Sequence, residues 1–369
     1  MLPLNWQRVR LGDIGKPCMC KRVMKHQTTR YGEIPFYKIG TFGNTADAFI
    51  SKKLFLEYKT KYSFPKKGDI LISASGTIGR AVIYDGKPAY FQDSNIVWID
   101  NDETLVKNDF LFYAYSNVKW NTEHTTILRL YNDNFRNTLI PLPPLNEQIA
   151  IANILSALDR YLYALDALIL KKEGVKKALS FELLSQRKRL KGFNQAWQRV
   201  RLGDIANYLT SNLSVEQITQ QGKIKVYDVN NFIGYTDTTF ISDKPYISIV
   251  KDGSVGRVRI LPPKTNILST MGALIANHRT TTEFLFYLLS NFDFKNFTSG
   301  SIIPHIYFKD YKEKTIFLPP LNEQSAIANI LSALDNEIAS LKNKKRQFEN
   351  IKKALNHDLM SAKIRVLKQ

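Results

Sequence analysis

One stretch of 17 residues, written twice, constrains this chain more than any other feature. Pro143–Asp159 reads PPLNEQIAIANILSALD and Pro319–Asp335 reads PPLNEQSAIANILSALD, so only Ile149 and Ser325 differ. Leu-Pro-Pro ends an extended run, because the residue before a proline is pushed out of the α region. The second proline suits the first helical turn, where its missing N–H is not needed. From there apolar residues recur at helical spacing: Ile151, Ile154, Leu155, Leu158, Leu162 and Leu165, then Ile327, Ile330, Leu331, Leu334, Ile338 and Leu341. The match resumes at Lys177-Ala-Leu and Lys353-Ala-Leu. The spacing predicts helical segments from about Leu145 to Leu190, with Gly192 as C-terminal cap, and from about Leu321 to Leu367. Two near-identical helices imply two equivalent docking surfaces, or one helix packing antiparallel on the other through its apolar stripe.

The segments between the helices repeat as well. Trp6-Gln-Arg-Val-Arg-Leu-Gly-Asp-Ile14 recurs unchanged at Trp197–Ile205. Gly32–Tyr37 and Gly222–Tyr227 read as short strands. Asp69–Arg80 and Tyr246–Arg257 each read as a strand running into a Gly-Thr/Ser-Ile/Val-Gly-Arg turn, where glycines supply backbone freedom. Phe110–Asn117 matches Phe284–Asn291 as one buried aromatic-rich helix. Each half is therefore an α+β module with an extended exit into a long helix. The order is module, helix, module, helix: 1–142, 143–191, 192–318 and 319–369. It reads as a nearly closed ring of two units with pseudo-two-fold symmetry and neighbouring termini.

Charge points to the partner. The 52 Lys and Arg against 33 Asp and Glu give a net +19, which favours a polyanion, most often nucleic acid. The plain alternative is a solvated basic surface; a membrane face is disfavoured because the basic residues are spread along the chain. No apolar run approaches the roughly 18 residues that span a bilayer, and MLPLNWQRVR lacks a signal peptide's apolar stretch. Two cysteines, Cys18 and Cys20, exclude a disulfide framework and fit a reducing cytoplasm.

Catalytic signatures are missing. Gly12-Asp-Ile-Gly-Lys16 is no phosphate loop, for it lacks the spacing and the Ser/Thr. Leu142-Pro-Pro-Leu145 and Leu318-Pro-Pro-Leu321 carry leucine where an amino-methyltransferase needs a polar residue and a stacking aromatic, so they read as strand-to-helix joints. Asp47 with Glu57-Tyr-Lys59 could be tried as a nuclease centre, but the second module has Ile247-Ser-Ile249 there; a solvated loop is the better reading. The five histidines and two cysteines lack metal-ligand spacing.

Taken together, the Trp-x-x-Val-x-Leu-Gly-Asp-Ile opening, the Ser-Gly-Thr-Ile-Gly turn and the Pro-Leu-Pro-Pro-Leu-x-Glu-Gln exit resemble the DNA specificity subunit of type I restriction–modification systems, over essentially the whole chain. The resemblance implies a non-catalytic cytoplasmic subunit with two target recognition domains, each reading half of a split sequence in double-stranded DNA. It implies that the helices form an antiparallel coiled coil that sets the gap. It also implies docking of two methyltransferase subunits and, through them, restriction/translocase subunits. S-adenosylmethionine, ATP and Mg would sit on those partners, none on this chain. The rival readings are a free-standing duplicated DNA-binding regulator and a self-contained nuclease or methyltransferase.

Repeated positions are expected to be scaffold or phosphate contacts, differing ones to read bases. Gly76, Thr77 and Arg80, with Gly253, Ser254 and Arg257, are candidate backbone contacts; alternatively the glycines only make the turn and the arginines pair locally. Candidate base readers precede the exits, in His124–Asn134 (Arg129, Tyr131, Asn132) and Ser299–Lys309 (Ser301, His305, Tyr307). A second set follows the early strand: Lys38, Thr41 and Asn44, and Asn230, Asn231 and Tyr235. Glu147-Gln148 and Glu323-Gln324 fall in first helical turns, where acidic side chains suit the positive helix end. They are expected either to cap alone or also to mark the methyltransferase contact. Since the modules differ in length and in these segments, the two half-sites should differ in sequence.

Overall fold

The first part of the opening nonapeptide is extended because its alternation puts Val9 and Val200 on one face, and it finds its partner at the far end of its own module, before Leu11–Ile14 and Leu202–Asp204 turn helical. In the computed structural model, which describes residues 3–124 and 128–366, Gln7–Arg10 pairs antiparallel with Leu139–Leu142, Val9 opposite Ile140. Gln198–Arg201 pairs in the same way with Thr315–Leu318, Val200 opposite Ile316. Each module thus closes on itself, and the chain leaves beside the point where it came in. Residues 125–127 of the expected base-reading stretch, and 367–369 of the second helical segment, lie outside the described residues.

Each module then builds two further sheets. In the first, the strands Gly15–Met19, Ile96–Asn101, Ile70–Ser73 and Ala81–Ile83 lie side by side, all antiparallel. Ala48–Ile50, Ile34–Tyr37 and Tyr90–Phe91 form a three-stranded sheet whose last pairing is parallel. In the second, Ala206–Thr210, Met271–Ala276, Tyr246–Val250 and Val258–Leu261 repeat the four-stranded order. Phe232–Thr236, Ile224–Tyr227 and Thr265–Ile267 repeat the three-stranded one. Ile70 to Ser73 and Tyr246 to Val250 are buried throughout, as central strands must be. The expected aromatic helices are Asn108–Tyr115 and Thr282–Ser290, which bury Phe110, Leu111 and Tyr115, and Phe284, Leu285 and Leu289. Only the first module inserts a helix at Lys52–Lys61, capped by Ser51. Glu57-Tyr-Lys59 therefore lies on this helix and not in a loop.

The long helices span Leu145–Leu184 and Leu321–Met360. Both prolines precede them; the Pro144 carbonyl accepts the first N–H bonds, from Glu147 at 2.9 Å and Gln148 at 3.0 Å. The first helix stops six residues short of Leu190. Gln186 turns into the left-handed region at φ +60°, and Lys188 N–H reaches back to the Glu182 carbonyl. Gly192 is left-handed too (φ +91°) but lies beyond the helix. Of the expected stripe, Ile151, Leu155, Ile327 and Leu331 are buried, whereas Ile154 is exposed.

The chain folds as two compact units, Met1–Leu165 with Lys344–Gln369, and Asp166–Asn343. Each holds one module, the first part of the helix that follows it and the last part of the other helix. Within each unit the helical pieces run antiparallel. In the first, Asp159 pairs with Lys352 and the ring of Tyr161 meets that of Phe348. In the second, Lys172 pairs with Glu337, Glu173 with Lys342 and Lys176 with Asp335. Among the described residues no helix is long and apolar enough to cross a membrane.

Candidate nucleic-acid interface

The glycine turns of the two modules share one hydrogen-bond frame. Ser73 N–H donates to the Arg80 carbonyl at 3.0 Å, and Gly79 N–H to the Ser73 carbonyl at 2.9 Å. Val250 N–H donates to the Arg257 carbonyl, and Gly256 N–H to the Val250 carbonyl, both at 2.9 Å. Gly79 and Gly256 have φ of +82° and +79°, and a Cβ would run into Trp120 in one and Phe294 in the other. Only glycine fits there. The expected contact residues Gly76, Thr77 and Arg80, and Gly253, Ser254 and Arg257, all lie exposed on these turns.

The segments before the exits dock onto the same turns. Leu130 N–H donates to the Ala74 carbonyl and Ile306 N–H to the Lys251 carbonyl, both at 2.9 Å. Ser75 is bridged to Arg129, and Asp252 to His305. One frame therefore presents Arg129 in the first unit and His305 in the second, beside turns differing by Ser75 and Asp252. The Arg129 guanidinium is steadied by the Ser94 carbonyl at 2.9 Å. Tyr131 and Tyr307 are exposed at the caps of short helices, Asn132–Asn137 and Phe308–Tyr311. Asn132 and Ser301 are exposed, and the Tyr307 ring packs against His305 and under Lys309.

The loops after the early strands join this surface unequally. Arg80 reaches the Gly43 carbonyl and the Asn44 side chain, each at 3.5 Å. Lys38 is tied up: its ammonium pairs with Asp47 at 2.8 Å, which holds that carboxyl below the usual aspartate range. The Thr41 hydroxyl accepts from Lys38 N–H at 3.1 Å and so serves the turn. Both residues thus help to build the loop. In the second unit Asn230 and Asn231 are exposed over Asp228, which accepts both their N–H groups, and Arg259 bonds the Asn230 carbonyl while covering the Tyr227 ring. Tyr235 packs its ring edge-on against Phe232. Asp47 and Glu57 are each held by a lysine, Lys38 and Lys61, in separate ion pairs.

Glu147, Gln148, Glu323 and Gln324, expected either to cap the helices alone or also to mark the methyltransferase contact, turn inward. They are exposed by 2%, 0%, 1% and 0%. Glu147 accepts from Trp6 Nε1 at 3.0 Å and from Arg365 at 2.6 Å; Glu323 accepts from Trp197 Nε1 at 3.0 Å and from Arg189 at 2.6 Å. Gln148 Nε2 donates to the carbonyls of Leu105 and Pro143, and Gln324 Nε2 to those of Arg279 and Pro319. The repeated Trp and the repeated Glu-Gln are two halves of one internal bracket between module and helix. The recurrence of the two tryptophans together with the Glu-Gln is the sequence signal of this bracket.

Comparison with known proteins places this geometry. Residues 3–172 and 194–350 match the type I restriction modification DNA specificity domain. A putative type I restriction enzyme specificity subunit of Haemophilus influenzae is 62% identical over 152 residues, which is 41% of this chain and 40% of that protein's length. A type I restriction enzyme specificity subunit of Methanocaldococcus jannaschii is 25% identical, covering 99% of this chain and 94% of the relative. The solved S subunit of a type I restriction-modification system from M. genitalium shares the fold, with a TM-score of 0.64 at 20% identity over 97% of this chain and 98% of that one. With a matching domain in each half and the same frame built twice, the chain belongs to the type I restriction–modification DNA specificity family.

Proposed function

We propose that this chain is the non-catalytic sequence-reading subunit of a type I restriction–modification complex, acting on double-stranded DNA in the cytoplasm. Each unit reads one half of a bipartite asymmetric target, and the long helices set the gap. The chain docks two methyltransferase subunits and, through them, restriction/translocase subunits. S-adenosylmethionine, ATP and Mg belong to those partners, and this chain holds no cofactor of its own. The observation that carries the reading is the duplicated frame with unlike side chains, Arg129 bridged to Ser75 and His305 bridged to Asp252. Equal frames suit two equivalent DNA segments, and unequal side chains suit unlike base sequences. Arg129, Tyr131, Asn132, Ser301, His305 and Tyr307 are the base-reading set; Thr77, Arg80, Ser254 and Arg257 hold phosphates.

Selection from random duplex DNA tests this, using the chain co-purified with a candidate methyltransferase subunit and then alone. Two short unlike motifs at a fixed gap, recovered only with the partner, are the expected result. A single continuous motif bound equally by the lone chain would make it a regulator, and a perfect palindrome would remove the asymmetry.

A further inference from the structure

In the second unit the chain before the exit forms a braced tip. Ser299 N–H donates to the His305 carbonyl at 2.9 Å and His305 N–H returns the bond at 2.8 Å. Gly300 makes the bend at φ +91°, where a Cβ would meet the Ile303 carbonyl. Gly253 N–H holds the Pro304 carbonyl at 2.8 Å, fastening the tip to the glycine turn. On it stand Ile302 and Ile303, exposed by 92% and 63%. Single exposed aliphatics are ordinary on a protein surface. Two adjacent ones on a loop tip braced in this way, next to exposed Ser301, are a built apolar point on an otherwise polar tip.

We propose that Ile302 and Ile303 read thymine 5-methyl groups in the major groove of the half-site taken by the second unit. The proposal deepens the reading given under Proposed function and rests on it. An aliphatic tip has nothing to offer phosphate, and the one apolar group on base-pair edges is the thymine methyl, displayed in the major groove. The major groove, about 12 Å wide, also admits a protruding loop tip more readily than the minor groove of about 6 Å. Ser301 and His305, on either side, are placed to hydrogen-bond neighbouring base edges while the isoleucines exclude water from the methyl.

The experiment uses the complex of this chain with its methyltransferase subunit. Once selection has given the second half-site, each thymine is replaced singly by deoxyuridine, which removes the methyl and keeps the pairing. One or two replacements should weaken wild-type binding about four- to fifteenfold, the range for losing one or two buried methyl-sized contacts. The Ile302→Ala/Ile303→Ala variant should bind the thymine site that much more weakly and be indifferent to those same replacements. Deoxyuridine in the other half-site should affect both proteins alike.

A second half-site without an A·T pair would overturn the proposal. So would wild-type binding insensitive to every replacement, or an undiminished deoxyuridine penalty in the variant. A variant that no longer co-purifies with the methyltransferase would make the tip a protein contact. Uniform loss on all sequences, with loss of DNA bending, would make it a minor-groove wedge. Failure of the selection to give two motifs would instead remove the underlying reading, and this proposal with it.

Discussion

Glu147 is a carboxylate with almost no exposure, held by the Trp6 indole N–H and the Arg365 guanidinium, and Glu323 is its copy. Removing one partner of such a pair leaves a charge or donor uncompensated, and the loss exceeds the pair's own worth. Glu147→Ala should destabilise the first unit by about 3–5 kcal/mol, whereas Glu147→Gln keeps an acceptor for Trp6 and should lose less than half of that. Denaturant unfolding followed by Trp fluorescence separates the two; equal losses would mean that the indole bond contributes nothing. The sequence displayed both halves of this bracket but not their meeting, because 141 residues separate Trp6 from Glu147. A local clue did exist. Glu147 precedes Ile151, and Gln148 precedes Ala152, by one helical turn, so the buried face already includes both polar side chains.

At the scale of elements, one polar lock recurs where the aromatic module helix meets the long helices. Tyr113 O–H donates to Asp159 at 2.7 Å, and Lys352 pairs with that carboxylate while lying over the Tyr113 ring. Tyr287 O–H donates to Asp335 at 2.9 Å, with Lys176 in the same two roles. Each lock ties three elements of one unit, so its loss should loosen module from helix without altering either alone. Tyr113→Phe and Tyr287→Phe should each cost about 1–2 kcal/mol, slightly below the usual value for a bond to a charged group because the lysine and carboxylate keep some water contact. A double-mutant cycle with Lys352→Met should show coupling in the first unit and none with Tyr287. Burial first, and then the neighbouring aspartate, raises both phenol pKa values. For a raised acid the stabilisation is complete below the unfolded tyrosine value of about 10 and is lost as pH rises past it toward the folded value. Wild type should therefore lose stability above about pH 10 more steeply than the doubly Phe-substituted chain. Periodicity made the helices themselves legible, but not their ends. The first stops at Leu184 because Gln186 adopts φ +60° with no glycine or proline there to announce it.

At the scale of the molecule the repeat made the fold readable, since every element found twice constrains its copy. What it left open was how each unit completes itself. In the second unit the bracket closes through continuous chain: Arg189 holds Glu323 and, six residues on, the Gln195 carbonyl. In the first the same place is filled from both ends of the chain, Arg365 holding Glu147 and the Asn5 side chain. The same side-chain chemistry is thus covalently supported in one unit and not in the other. Ending the chain after Met360 should remove the bracket from the first unit alone, while Arg189→Ala should weaken the second with its backbone still connected. Hydrogen exchange should then show lost protection in Gln7–Arg10 and Leu139–Leu142 for the truncation, with Gln198–Arg201 and Thr315–Leu318 unchanged, and the reverse for Arg189→Ala. Protection lost in both units after truncation would mean that the two fold as one cooperative body, in which case the duplicated brackets would not act independently.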